Sequence, residues 1–256
     1  MTPSKLKHSP DKCRSFKSNV DMGDQIYSLL FAKKFKTKEI YLDWEQKMGS
    51  YTRENFITNF KNKFSKESAE FLLPLINYQS YIDKAELYDS QDFDVDYGEW
   101  DKNVPLHSGT NLLDFHATKF DLNWEDCHEP WLEAPMSDKK FLSDINYVIN
   151  RTPRHNSGKG KLKGLLGVLN PDKCLYVGLP TEYEAFVSEF NFITGFYKAE
   201  NALDLASIIN AIPNFIGNQS LPCAIAKGLG KNCIIELGSS GANYVFHLRK
   251  NISYFS

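Results

Sequence analysis

The chain lacks any run of 18 apolar residues, so hydropathy offers no membrane-crossing helix. It has little net charge. Its 30 lysines and arginines against 32 aspartates and glutamates leave −2, whereas a protein that grips nucleic acid through its overall field carries a positive excess. Cysteine is sparse and odd in number. Among Cys13, Cys127, Cys174, Cys223 and Cys233 no pair is spaced Cys-x-x-Cys, and three sit in apolar runs. Free buried thiols in a reducing cytosol fit that pattern better than a disulfide framework. Met1 to Lys12 is polar and basic without the apolar core of a secretory signal, and a cytoplasmic location is the expectation. His116, Cys127 and His128 match no familiar zinc spacing and read as packing and surface residues.

What is present is enough for a core. Of 256 residues, 42% are hydrophobic and 14% aromatic, sufficient for one large domain or two small ones. Apolar runs alternate with helical patterns. Cys13 to Lys17, Lys38 to Asp43, Ala85 to Tyr88, Ile145 to Ile149, Lys173 to Gly178, Asn191 to Thr194 and Asn232 to Leu237 read as strands. Gln25 to Phe35, Arg53 to Phe64, Lys66 to Ile76, Asn111 to Phe120, Glu182 to Glu189 and Asn201 to Ile212 read as helices. In the later strands the apolar residues are continuous rather than alternating, which indicates a parallel sheet covered on both faces. The fold class is therefore α/β. A less regular stretch from Pro130 to Lys140 places the boundary between an amino-terminal domain, 1–140, and a carboxy-terminal one, 141–256.

Ligands of such sheets bind at the carboxyl ends of the strands, and the polar residues there are the candidates. Asn214 to Gly230 reads as a short buried strand, a tight turn and a new helix. Gly217 permits a sharp turn or a close ligand, Ser220 can cap the helix, and Pro222 suits its first turn. The free amides of such a helix start suit phosphate; an ordinary strand-to-helix turn is the plain alternative. Arg151 and Arg154 flank Pro153 after another strand, and guanidinium forks suit phosphate oxygens. With Lys159, Lys161 and Lys163 they otherwise form a solvated basic loop. Asp24 follows the glycine-bearing loop after the first strand. It serves either as the N-cap of the next helix or as a general base in a cleft. Asp92, Asp94 and Asp96 alternate. They suggest either an Asp-x-Asp metal site beside a sugar diphosphate or a charged strand edge.

Met22 to Leu29, with its Gly23-Asp24 turn, resembles the start of heptosyltransferase-like glycosyltransferases of family 9. Ile216 to Gly230 is similar to their second signature, a polar turn before a helix that ends Ala-x-x-Leu-Gly. The two stretches come in the family's order, one in each half. The resemblance implies two Rossmann-like domains facing a cleft, the GT-B type, and an inverting, metal-independent transfer of a sugar from a nucleoside-diphosphate sugar to an acceptor hydroxyl. By it Asp24 is the general base, with Gly23 and Gln25 on the acceptor side. Gly217 and the turn Asn218-Gln219-Ser220 hold the donor diphosphate, Arg151 and Arg154 neutralise it as it leaves, and Glu182 or Glu236 accepts from the ribose or base. No cofactor and no metal are implied. The acceptor is a glycan, a lipid-linked sugar, a protein or a modified DNA base. Asn218-Gln219-Ser220 stands where the family has an acidic residue, a small residue and glycine, and Cys223 or Ala224 where it has histidine, so heptose is not assumed. The alternatives are a metal-dependent transferase using Asp94 and Asp96, and a non-catalytic nucleotide- or sugar-binding module of the same fold.

Overall fold

The structure, a computed structural model, describes residues 13–18, 21–44, 64–96, 129–153, 159–237 and 251–255. The helix expected over 53–64, but for its last residue, the helix expected over 111–120, and Arg154 lie outside them. The chain divides into two compact units, Met1–Pro105 and Leu106–Ser256. The division therefore falls before the expected boundary at 140. The amides of Trp131 and Leu132 both donate to the Gly228 carbonyl at 3.0 Å, and Asn210 Nδ2 donates to the Ala134 carbonyl at 2.8 Å. These bonds tie the irregular stretch to the carboxy-terminal unit.

In the amino-terminal unit, β1 (Ser15–Ser18), α1 (Met22–Phe35) and β2 (Glu39–Leu42) form a β-α-β unit. They are followed by α2 (Lys66–Tyr78), β3 (Lys84–Leu87) and β4 (Val95–Asp96). The strands lie in the order β3-β2-β1-β4, all parallel. Ile26, Leu29, Leu30 and Phe31 of α1 are buried, as are Leu72, Leu75 and Ile76 of α2 and Phe16, Ile40 and Leu42 of the sheet. Lys33, Lys34 and Lys36 face water, as their spacing implies.

The carboxy-terminal unit contains β5 (Tyr147–Asn150), α3 (Lys159–Leu166), β6 (Cys174–Val177), α4 (Pro180–Phe190) and β7 (Gly195–Tyr197). There follow α5 (Ala202–Ala211), β8 (Asn214–Asn218), α6 (Leu221–Gly228), β9 (Asn232–Glu236) and β10 (Ile252–Phe255). Its sheet is parallel throughout, in the order β10-β9-β8-β5-β6-β7. Numbered within the unit, that is 3-2-1-4-5-6 read from the other edge, the order of dinucleotide-binding sheets. The amino-terminal sheet has the first four positions of the same order. Ile149, Tyr176 and Ile216 pack with Leu162 and Leu166 of α3 and Phe186 and Phe190 of α4.

Three local expectations are corrected. The lysines at 159, 161 and 163 are not in a loop. They stand on α3, which forms because Leu162 and Leu166 recur at helical spacing and are buried, while the lysines stay exposed. The strand expected over 191–194 starts at Gly195 instead. Asn191 closes α4 in the left-handed region, at φ 50°, and pairing with β6 begins only at Leu175↔Gly195. Gly217 is not in the turn but inside β8, opposite Asn150.

Candidate functional site

In each unit the order of the strands reverses beside the first strand, and a crevice opens at such a point above the strands' carboxyl ends. In the carboxy-terminal unit this point lies between β5 and β8. Asn150, the last residue of β5, is 1% exposed. Its Nδ2 donates to the Val177 carbonyl at 2.8 Å, and its Oδ1 accepts from Ser220 Oγ at 2.7 Å. Asn218, the last residue of β8, is fully buried. Its Oδ1 accepts from the Thr152 amide at 3.0 Å and its Nδ2 donates to the Thr152 carbonyl at 2.8 Å. Two carboxamides thus knit together the chain leaving β5, the end of β6 and the start of α6. Gly217 makes the knit possible: a Cβ there would meet the Asn150 carbonyl oxygen at 2.2 Å.

Ser220 is the N-cap of α6 and accepts from the Cys223 amide at 3.4 Å, with Pro222 in the first turn, as the sequence implies. Gln219 sits between these anchored residues. Its Oε1 and Nε2 are both buried and have no hydrogen-bond partner among the described residues. Leaving such a carboxamide unmatched costs about 1–3 kcal/mol unless water or a ligand completes its bonding.

Arg151 is placed differently from the phosphate-facing role expected of it. It is 6% exposed. Its Nε and Nη2 reach Glu236 at 2.7 and 3.2 Å, and its Nη1 reaches Glu189 at 2.5 Å. The guanidinium also stands 4.9 Å from the Phe190 ring centroid. Burial pulls the Arg151 pKa down, and the bonds and charge of Glu236, then Glu189, outweigh it, so the net shift is upward. Glu236, fully buried, spends its carboxylate on Arg151. Glu182 Oε2 accepts from the Leu179 amide at 3.0 Å, closing the first turn of α4. It lies where a Cβ on Gly178, at φ +147°, would stand 2.8 Å away. Asn150, Thr152, Tyr176 and Glu189 were not singled out from the sequence. Tyr176 Oη donates to the Arg151 carbonyl at 2.8 Å, and only the strand order reveals that link.

In the amino-terminal unit, α1 begins three residues earlier than expected. Asp21 holds the N-cap position, so Asp24 is not the cap. It lies in the first helical turn, half-buried, where a carboxylate is favoured by the helix dipole. Gly23 shares that turn, and Gln25 next to it is 1% exposed. Ser18, which ends β1, is 1% exposed and its Oγ has no partner among the described residues. Below it Lys17 Nζ lies 2.7 Å from Asp96 and 3.5 Å from Asp43. Burial lowers the Lys17 pKa, but Asp96 and then Asp43 hold it above its ordinary value. Asp94 Oδ2 accepts from the amides of Arg14 and Ser15 at 2.8 and 3.0 Å. A cation held by Asp94 and Asp96 would have to displace these bonds. Among the described residues, no group of three or more histidine, cysteine or acidic side chains is placed to hold a metal ion.

No family model matches the chain, and no curated relative does. Among solved structures, it is similar to the glycosyl transferase family 9 protein of Veillonella parvula. The TM-score is 0.59 at 10% identity, over 96% of this chain and 87% of that one. It is also similar to the ADP-heptose lipopolysaccharide heptosyltransferase II of E. coli, with a TM-score of 0.52 at 10% identity, over 94% and 90%. At such identity the likeness is one of fold: the chain has the heptosyltransferase-like, GT-B type fold of family 9 glycosyltransferases.

Proposed function

We propose that the chain is an inverting glycosyltransferase that moves a sugar from a nucleoside-diphosphate sugar to an acceptor hydroxyl. The observation that carries this reading is the unmatched Gln219 carboxamide at the switch point, beside the start of α6. The fold supports it, because the E. coli neighbour is named for ADP-heptose and lipopolysaccharide. The turn from Gly217 to Ser220 receives the donor, with backbone amides toward the diphosphate and the Gln219 side chain toward its polar groups. Asp24 takes the proton from the acceptor hydroxyl. The acceptor oxygen bonds to the anomeric carbon as the bond from that carbon to the diphosphate oxygen breaks, and the electron pair leaves with the nucleoside diphosphate. One displacement inverts the centre.

Two donor-side roles are revised. Arg151, its fork engaged by Glu236 and Glu189, fixes the loop after β5, which leaves Arg154 as the arginine for the departing diphosphate. Glu236 positions Arg151 in place of touching the ribose. Metal-independent turnover in the cytoplasm is part of the proposal. No helix among the described residues is long and apolar enough to cross a membrane.

The test is thermal unfolding with ADP, GDP and UDP in excess chelator. At least one should raise the melting temperature, and Gln219→Ala should abolish the rise. No shift with any of the three would overturn the reading.

A further inference from the structure

The two sheets treat their edges differently. At the edge strand β3, the Asn77 carboxamide of α2 accepts from the Ala85 amide at 2.7 Å and donates to the Ala85 carbonyl at 2.9 Å. Lys84 and Glu86 flank Ala85 and pair with each other at 2.7 Å. Such covers and charges keep an edge from pairing with another chain. β7, Gly195-Phe196-Tyr197, holds neither a charge nor a proline. Among the described residues it pairs with β6 alone, so its outer side presents backbone N–H and C=O groups.

That edge is also apolar. Of the seven large apolar side chains exposed among the described residues, four border β7, and none belongs to β10 at the opposite edge. Phe196 lies within the strand and Ile193 two residues before it. Leu179 stands two residues after Val177, the partner of Tyr197, and the Phe141 ring is 6.0 Å from the Tyr197 ring. These groups are divided between the faces of the sheet. Phe196 sits with Tyr176 and Tyr183 toward α4, its ring 5.0 Å from that of Tyr183. Tyr197 sits with Phe141 on the other face, its Oη bonded to Asp204 of α5 at 2.9 Å. A partner packed on one face would leave the other wet. A strand added to the edge covers both.

The sequence around β7 is complementary to itself. Antiparallel pairing of two copies about Phe196 sets Phe196 against Phe196, Gly195 against Tyr197 and Ile193 against Ala199, so each apolar side chain meets an apolar or small residue. The same register sets Lys198 of one copy against Thr194 of the other. Thr194 Oγ1 lies 2.7 Å from the Pro171 carbonyl oxygen, so Lys198 arrives beside the exposed Asp172. Neither Lys198 nor Asp172 has an ion-pair partner among the described residues. A two-fold axis makes that charge contact twice. We infer that the chain forms a homodimer in which two β7 strands pair antiparallel and join two six-stranded sheets into one. The crevice between β5 and β8 lies away from this edge, and the dimer does not rest on the transferase reading.

Sedimentation velocity on the full chain tests it, from roughly 1 to 100 μM, the weaker end of what interfaces of ordinary size reach. At the upper end the chain should sediment at twice its 29.3 kDa mass. Phe196→Lys puts like charges on the axis and should return it to a monomer throughout, with the parent's circular dichroism. Lys198→Asp and Asp172→Lys should each weaken the dimer about threefold, and the two together should restore it. If Phe196→Lys fails to fold, this charge swap decides alone. A monomer at every concentration overturns the inference and leaves the edge to a different occupant. So does a folded Phe196→Lys chain that still dimerises, or a charge swap that fails to restore what its single changes remove.

Discussion

Arg151 and Glu236 meet across a strand that belongs to neither. Arg151 follows β5 and Glu236 ends β9, with β8 between them, yet two guanidinium nitrogens reach the carboxylate at 2.7 and 3.2 Å. The pair is desolvated, and its worth lies in being complete. Glu236→Ala leaves a buried cation short of its partner and should destabilise the chain by about 3–5 kcal/mol in urea unfolding. The double replacement Arg151→Met with Glu236→Met should recover most of that loss, because no buried charge is then stranded.

Asp24→Asn should keep nucleoside-diphosphate binding and lower transfer by about 10²–10⁴-fold, the usual worth of a positioned base. Steady-state rates beside a thermal-shift titration separate the two effects. Unchanged turnover would remove Asp24 from the base role, whereas nucleotide binding with no turnover in the parent chain would favour the non-catalytic module.

Gly217→Ala places a methyl group against the Asn150 carbonyl oxygen and the Phe215 ring. Backbone cannot give way as a flexible side chain does. The cost should be roughly 1–3 kcal/mol or more, seen in chemical denaturation together with weaker nucleotide binding.

Burial pushes the Cys174 thiol up from 9.0 to about 11. A raised folded value adds stability that is complete below the unfolded value and is lost as pH climbs through the folded one. The chain should therefore lose about 2 kcal/mol between about pH 9 and pH 11 from this group. Cys174→Ala should flatten that part of the pH profile, whatever it does to stability at neutral pH.

The parallel α/β architecture was legible because strands buried on both faces show continuous apolar runs, and because Ser220 and Asn201 announce their helices. Asn201 Oδ1 does accept from the amides of Leu203 and Asp204, both at 3.0 Å. Partners were not legible. Glu189 and Glu236 lie 38 and 85 residues from Arg151, and only the strand order brings them to it, so a buried ion pair read as a phosphate fork. Of the two roles open to Asp24, the cap falls to Asp21, because the helix starts before Gly23, inside a glycine-bearing stretch where propensity argues for a loop. The edge strand β10 gave too short a pattern to register.

The parallel pairing of every described strand also bears on how the chain reaches its native state. Parallel neighbours cannot be joined by a hairpin turn, and the pairs β1–β4 and β5–β8 are not even consecutive strands. Tyr147 and Asn214 pair at the heart of the second sheet with α3, β6, α4, β7 and α5 lying between them in the chain. Closing so long a loop is entropically uphill before any contact rewards it. Refolding should be slow, with the end of β5 docking late. Since Asn150 and Thr152 emerge from that strand, the crevice above β5 and β8 should be completed late, and a ligand bound there should slow unfolding of a destabilised variant more than it speeds folding.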